Sequence, residues 1–198
     1  MPVFTMIAAS ALAAAQWPVP VVEQDDYPTS ALLRQKSAAS ILDLLIDPEG
    51  NVVKCTESGS VGDEQLASQM CAIAKRKTAT PARDAKGRST FGFSRELAIL
   101  TLPGTSQADQ IGHMGPTPDL DLTIARFPAG SSAPVLVDLT IAIDQDGKAT
   151  ACDHRQGSAS FGAAACKQIG TIAFDKQTDA NGKPISYVRP LSVRFSQA

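Results

Sequence analysis

The stretch that decides the reading runs from Ile41 to Cys55, "ILDLLIDPEGNVVKC". Leu42, Leu44 and Ile46 alternate with Asp43 and Asp47, the period-two pattern of a half-buried strand. Pro48 and Gly50 are placed for a tight turn. Val52–Thr56 then returns as an antiparallel strand carrying Cys55. The same order recurs at Leu139–Cys152, "LTIAIDQDGKATAC". Aligning Gly50 with Gly147, a shift of 97 residues, places Cys55 on Cys152 and Leu42, Leu44 and Ile46 on Leu139, Ile141 and Ile143. A two-residue deletion in the second copy changes the shift to 95. Leu66 then meets Phe161, Cys71 meets Cys166 and Gly87 meets Gly182. Turns, cysteines and inward positions align together, so the chain reads as two copies of one structural unit.

Each copy has the order ββαβ. In the first, the strands are Ile41–Asp47, Val52–Thr56 and Thr90–Leu100, with a helix after the turn residues Ser58–Ser60. Leu66, Met70, Ile73 and Ala74 fall at helical spacing. In the second, strands are expected at Val135–Asp144, Lys148–His154 and Ile185–Phe195, with a helix from Ser160 to Ala173. A short leading helix is expected at Tyr27–Gln35, and "DLTIARFPAGSSAP" reads as a strand followed by a loop. The fold class is therefore α+β: two tandem units, each a three-stranded antiparallel sheet packed by one or two helices. The domains expected are 25–102 and 119–198, joined by a linker at 103–118 rich in Gly, Pro and polar residues. Pro190 in the last strand lacks a ladder donor and suits an edge strand.

The four cysteines, Cys55, Cys71, Cys152 and Cys166, permit three pairings. The repeat selects Cys55–Cys71 and Cys152–Cys166, each joining the second strand to the helix over it. A loop of about 15 residues closed this way contributes roughly 3 kcal/mol on the chain-entropy model. That matters in a small unit with 5% aromatic residues and an aliphatic core. Free thiols or a four-cysteine zinc site are the rivals, but no C-x-x-C spacing is present. The N-terminus supports an oxidising compartment. Residues Met6–Ala15 form a short apolar run ending in small residues, which reads as a secretory signal over 1–15 cleaved after Ala15, with no basic residue before it. The run is far short of the roughly 20 residues needed to span a bilayer, so no transmembrane segment is expected.

A formal charge of −2 and a pI near 5.6 supply no basic field, which argues against nucleic acid as a partner. The run Lys75–Lys77 reads as a solvated helix end favoured by the macrodipole. Only two histidines are present. His113 lies in the linker, and His154 follows Asp153 on a strand, where neighbours face opposite ways. No G-x-S-x-G elbow occurs. "DQDG" at Asp144–Gly147 lacks the third acid and closing Glu of a calcium loop. Arg83, Lys86 and Arg88 could hold an anion but read as a solvated turn. No catalytic residue, metal site or cofactor is expected, and no enzymatic activity.

The first half resembles the C-terminal domain of TonB, the periplasmic energy transducer. The resemblance rests on Tyr27-Pro28, Asp47-Pro48-Glu49-Gly50, Gly50-Asn51-Val52, Ser58-Gly59-Ser60, Pro81-Ala82 and Gly87-Arg88. It covers 25–102; the second half matches only through "IDQDGKATAC" and "DANGKPISY" and is a degenerate copy. The resemblance implies a periplasmic domain that docks an extended protein or peptide segment beside an exposed strand, as TonB docks the N-terminal box of an outer-membrane receptor. An edge strand offers unpaired N–H and C=O groups for that purpose. The mature chain would enter the domain within about ten residues, without the membrane helix and proline-rich spacer of TonB-type transducers, so force transduction does not follow. The function expected is an exported, non-enzymatic peptide or envelope-partner binder, with TonB-linked outer-membrane transport as the process the resemblance implies. A self-associating structural envelope protein is the main alternative, and a small periplasmic hydrolase a weaker one.

Overall fold

The computed structural model describes residues 12–115, 117–128 and 134–198. The protein is a mixed α+β structure built on one large sheet. The first half contributes α1 (Thr29–Leu33), β1 (Ala38–Ile46), β2 (Val52–Gly62), α2 (Glu64–Ala74), β3 (Ala82–Arg83) and β4 (Ser89–Leu100). Then follow α3 (Ser106–Gly112) and β5 (Leu120–Ile124). The second half contributes β6 (Val135–Ile143), β7 (Ala149–Gln156), α4 (Ala159–Ile169), β8 (Gln177–Thr178), β9 (Pro184–Ile185) and β10 (Tyr187–Gln197). Each expected strand of the two repeats is present, and each expected helix. The stretch read as a linker contains α3, whose Ile111 is buried. Among the described residues, no helix is long and apolar enough to cross a membrane.

The expectation of two separate three-stranded sheets needs correction. Among the described residues, eight of the ten strands form one sheet in the order β2-β1-β4-β10-β6-β7, with β3 beside β4 and β5 beside β10, while β8 and β9 pair only with each other. β1 lies antiparallel between β2 and β4, and β6 lies antiparallel between β7 and β10. The closing strands β4 and β10 then meet in parallel, Phe91 opposite Tyr187 and Gly92 opposite Val188. An unpaired strand edge is a row of donors and acceptors. Here the free edge of each half partly satisfies that of the other.

Parallel pairing of corresponding strands turns one half over relative to the other. Val188, level with Gly92, joins the core under α2, with Leu42, Leu44, Ile46, Leu66, Met70 and Ile73. Phe91 and Tyr187 belong to the core under α4, with Leu139, Ile141, Ile143, Phe161, Ala165 and Ile169. The two helices α2 and α4 therefore cover opposite faces of the sheet, and the short α3 packs against β1 and β2.

Both hairpin turns are built alike. Asp47 Oδ1 accepts from the N–H groups of Glu49 and Asn51, at 3.0 and 2.8 Å. Asp144 Oδ1 accepts from Asp146 and Lys148, both at 2.9 Å. Gly50 (φ 93°) and Gly147 (φ 83°) sit in the left-handed region. Their carbonyls accept from Ala79 N at 2.9 Å and Phe174 N at 2.8 Å, tying the turn to the chain after the helix.

Three local readings are revised. Ser58–Ser60 is not a turn: β2 continues to Gly62, and an irregularity opposite Ile41/Leu42 absorbs the extra residue. Asp63 then caps α2 by accepting from Leu66 N at 3.0 Å. Lys77 is not merely solvated; its Nζ lies 2.9 Å from Asp26 and 3.2 Å from Glu23. Pro190 is not on an edge strand. It lies opposite Thr140 in an interior strand. The N–H of Ser192 points away from β6, to Asp119, so the nitrogen of Pro190 points the same way, where no described strand pairs with Arg189–Ser192. No β6 hydrogen bond is lost.

The end of the segment read as a signal is packed on the first half. Met1–Ala11 lie outside the described residues. Leu12 and Ala15 are buried, at 1% and 8% exposure, and Ala13 and Gln16 bridge to Arg83 and Thr80. Trp17 follows, packed against the α2-side core. It stands near Glu96, which shares that face of β4 with Ser94. Burial raises the Glu96 carboxyl above its usual range, opposed by the hydrogen bond from Ser94 and by the approach of Trp17. An acid raised in the folded state stabilises fully below its unfolded value and loses that contribution as pH rises through the folded value. Glu96→Gln is therefore expected to melt higher than the parent at neutral pH, with the advantage vanishing near pH 4. Thermal melts across that range check this; equal melting at neutral pH would contradict it.

Candidate partner-binding cleft between the central strands

The two central strands stay together for only two residues. Beyond Gly92, β4 keeps β1 as its neighbour on one side, and no described strand pairs with Phe93–Leu100 on the other. On β10, pairing resumes only at Val193, and with β5 instead. The sheet thus parts at its centre. The cause is visible in the chain: β5 follows the first half and inserts in parallel beside Val193–Gln197, where β4 would otherwise continue.

Charged side chains clasp the opening. Asp119 N donates to Ser192 O at 2.8 Å, and Asp119 Oδ2 accepts from Ser192 N at 2.9 Å. Asp119 Oδ1 accepts from Arg189 Nη2 at 2.7 Å and from Arg95 Nη1 at 3.3 Å. Arg95 in turn reaches Asp43 on β1, with Nε at 2.7 Å and Nη2 at 3.2 Å. Arg189 is the most enclosed of these cations, its side chain 14% exposed. Its guanidinium lies 4.8 Å from the centre of the Phe93 ring, a cation–π contact. One carboxylate between two arginines, each with a further partner, is a satisfied network that fixes register.

The floor is the face of the first half that α2 leaves bare. Asp43, Leu45, Lys54, Thr56, Phe93 and Arg95 line a cavity of about 170 Å³, walled by Asp175, Gln177, Tyr187 and Arg189. Tyr187 donates from its hydroxyl to Asp175 O at 2.8 Å. Burial pushes its phenol up to about 12, with Asp175 adding to the shift and Arg189 opposing it. The hydroxyl therefore stays a proton donor at any physiological pH.

The four cysteines stand where the repeat placed them, as the disulfides Cys55–Cys71 and Cys152–Cys166, each with a Cα–Cα distance of 5.7 Å. Each pins a helix to the strand beneath it, outside the cleft. His154 lies under α4. A Cβ at Gly162 would fall 2.4 Å from its ring, so the glycine is the space that the imidazole occupies. Asp153 turns to Arg155, at 3.4 Å. His113 caps the C-terminus of α3. Arg88 is held by Asp84 at 2.7 Å. Among the described residues, no three His, Cys, Asp or Glu side chains converge as metal ligands.

Sequence reading missed the clasp. Asp119 is the first residue after the stretch read as linker, and its arginine partners are 24 and 70 residues away. The only legible signal was the alternation of Phe93 and Arg95 on β4, which puts a ring and a cation on the face away from the helix.

The geometry defines an α+β protein with a parted central sheet and two intramolecular disulfides. Compared with protein-family models, curated proteins and solved structures, the chain matches none of them.

Proposed function

We propose that the chain is an exported, non-enzymatic binder of extended peptide segments, made of two tandem TonB C-terminal-like units of which the second is degenerate. It works in the periplasm, beside outer-membrane uptake systems, and takes a partner strand along β4. The observation that supports this most directly is the side of Phe93–Leu100 that no described strand pairs with. An added strand there gains main-chain hydrogen bonds, and alternate side chains enter the groove floored by Leu45 and Phe93. The arginine–aspartate clasp gives such a segment charged partners at the mouth. The two disulfides accord with an oxidising compartment.

The test is titration of the isotope-labelled chain with a receptor box peptide, followed by amide shifts. Saturable shifts concentrated on Phe93–Leu100 are expected. Arg95→Glu, which sets a third carboxylate against Asp43 and Asp119, should weaken binding at least tenfold. Shifts centred instead on the outer strands β2 and β7, dependent on protein concentration and not on peptide, would replace the proposal by self-association.

A further inference from the structure

The segment Leu12–Gln16 is seated in a slot of its own, on the α2 side of the sheet and apart from the cleft. Ala13 and Arg83 exchange both main-chain hydrogen bonds, at 3.0 and 2.8 Å, and so do Gln16 and Thr80, at 3.0 and 2.8 Å. Leu12 fills a place in the first core cluster. Ala15 sits over Gly92. A Cβ on that glycine would come within 2.9 Å of the Ala15 Cβ and 3.0 Å of the Ala82 Cβ. Gly92 thus leaves the space that the Ala15 methyl occupies, and a side chain at position 92 would close it. The main chain supplies the ladder, the leucine place supplies the apolar anchor, and Gly92 supplies a size filter.

The sequence Ala13-Ala14-Ala15 is also the small-residue pattern at which a leader would be cut. Cleavage after Ala15 would remove the leucine anchor, the Ala13 ladder and the small residue together. Thr80 and Arg83 would retain at most one of their two partners, and Leu12's place would empty. A vacated strand slot with an intact ladder is a site for strand addition.

We propose that the slot bounded by Thr80–Arg83 and Gly92 is a second peptide-docking site, whose ligand is an extended partner segment of the pattern Leu-x-x-Ala running antiparallel to Thr80–Arg83. Leu12–Gln16 is the stand-in that shows what fits. The segment is joined to the domain through Trp17-Pro18-Val19-Pro20, where two prolines lacking N–H groups keep the connection out of any ladder. The proposal rests on the packing of this segment and does not depend on the cleft between β4 and β10.

The full chain bearing Leu12→Asp tests it, because a carboxylate in the leucine place expels the segment. The readouts are amide exchange at Thr80 and Arg83 and titration with the synthetic peptide LAAAQWP. Both amides are expected to exchange at least tenfold faster in the variant, and the peptide to bind saturably and restore their protection. The parent chain, its slot filled, should bind the peptide at least tenfold more weakly, and a peptide with Asp in place of the leucine should not bind. Unchanged exchange in the variant, or equal peptide binding by both chains, would overturn the proposal. So would protection that returns with protein concentration and no peptide, since the occupant would then be a second copy. Should Leu12→Asp fail to fold, Gly92→Ala keeps the question open to measurement. It crowds Ala15, so the Thr80 and Arg83 amides should exchange faster than in the parent and adding Ala15→Gly should restore their protection; no rescue would refute the size filter.

Discussion

Replacing Cys152 and Cys166 together by alanine is expected to lower stability by about 3 kcal/mol. The bond closes a separation of 14 residues, against 16 for Cys55–Cys71. Loop-closure entropy changes only as the logarithm of loop length. The two double substitutions should therefore cost nearly the same, and either should cost a large share of a typical domain stability of about 5–15 kcal/mol. Denaturant melts of the two variants, with unchanged slopes, check the magnitude. The unreduced parent should show no reactive thiol after denaturation and four after reduction. A cost below about 1 kcal/mol for either pair would mean that the helix above it is held by packing alone.

A comparable loss is expected at the two hairpin glycines. Gly50 and Gly147 lie at positive φ, and a Cβ would fall 2.2 Å from Ala79 O in the first turn and 2.3 Å from Phe174 O in the second. Those carbonyls are backbone and cannot rotate away. Alanine must therefore bear both the left-handed strain and a displaced strand connection, about 2 kcal/mol or more at each turn. The two turns share no hydrogen-bond partner, so the double variant should lose the sum. Gly182 gives the internal control. It has φ 78° but nothing within 4 Å of its would-be Cβ, so Gly182→Ala should cost about 1 kcal/mol, from the backbone conformation alone. Thermal melts of the three single variants rank them; Gly182→Ala costing as much as the others would remove the close-approach argument.

Period-two alternation at Leu42–Ile46 and Leu139–Ile143 located the central strand of each half. Those six side chains are all fully buried. The spacing of Leu66, Met70 and Ile73 located the helix above the first. Such patterns are local, so a single chain displays them. The cleft was not legible in the same way. Arg95, Asp119 and Arg189 come from three separate elements, and no spacing links them. Gly92 looked like an ordinary strand glycine, because the alanine it makes room for lies 77 positions earlier in the chain.

By itself, the sequence determined the two ββαβ repeats, the places of their turns and the pairing of their cysteines. Each depends on contacts within one half, and hydrophobic period and turn chemistry encode such contacts directly. Only the tertiary structure decided that β4 and β10 join in parallel, that α2 and α4 cover opposite faces, and that the sheet parts after Gly92. Those outcomes depend on which strand edge meets which. Edge backbone is chemically the same along every strand, so the choice rests on the packing of distant residues around it.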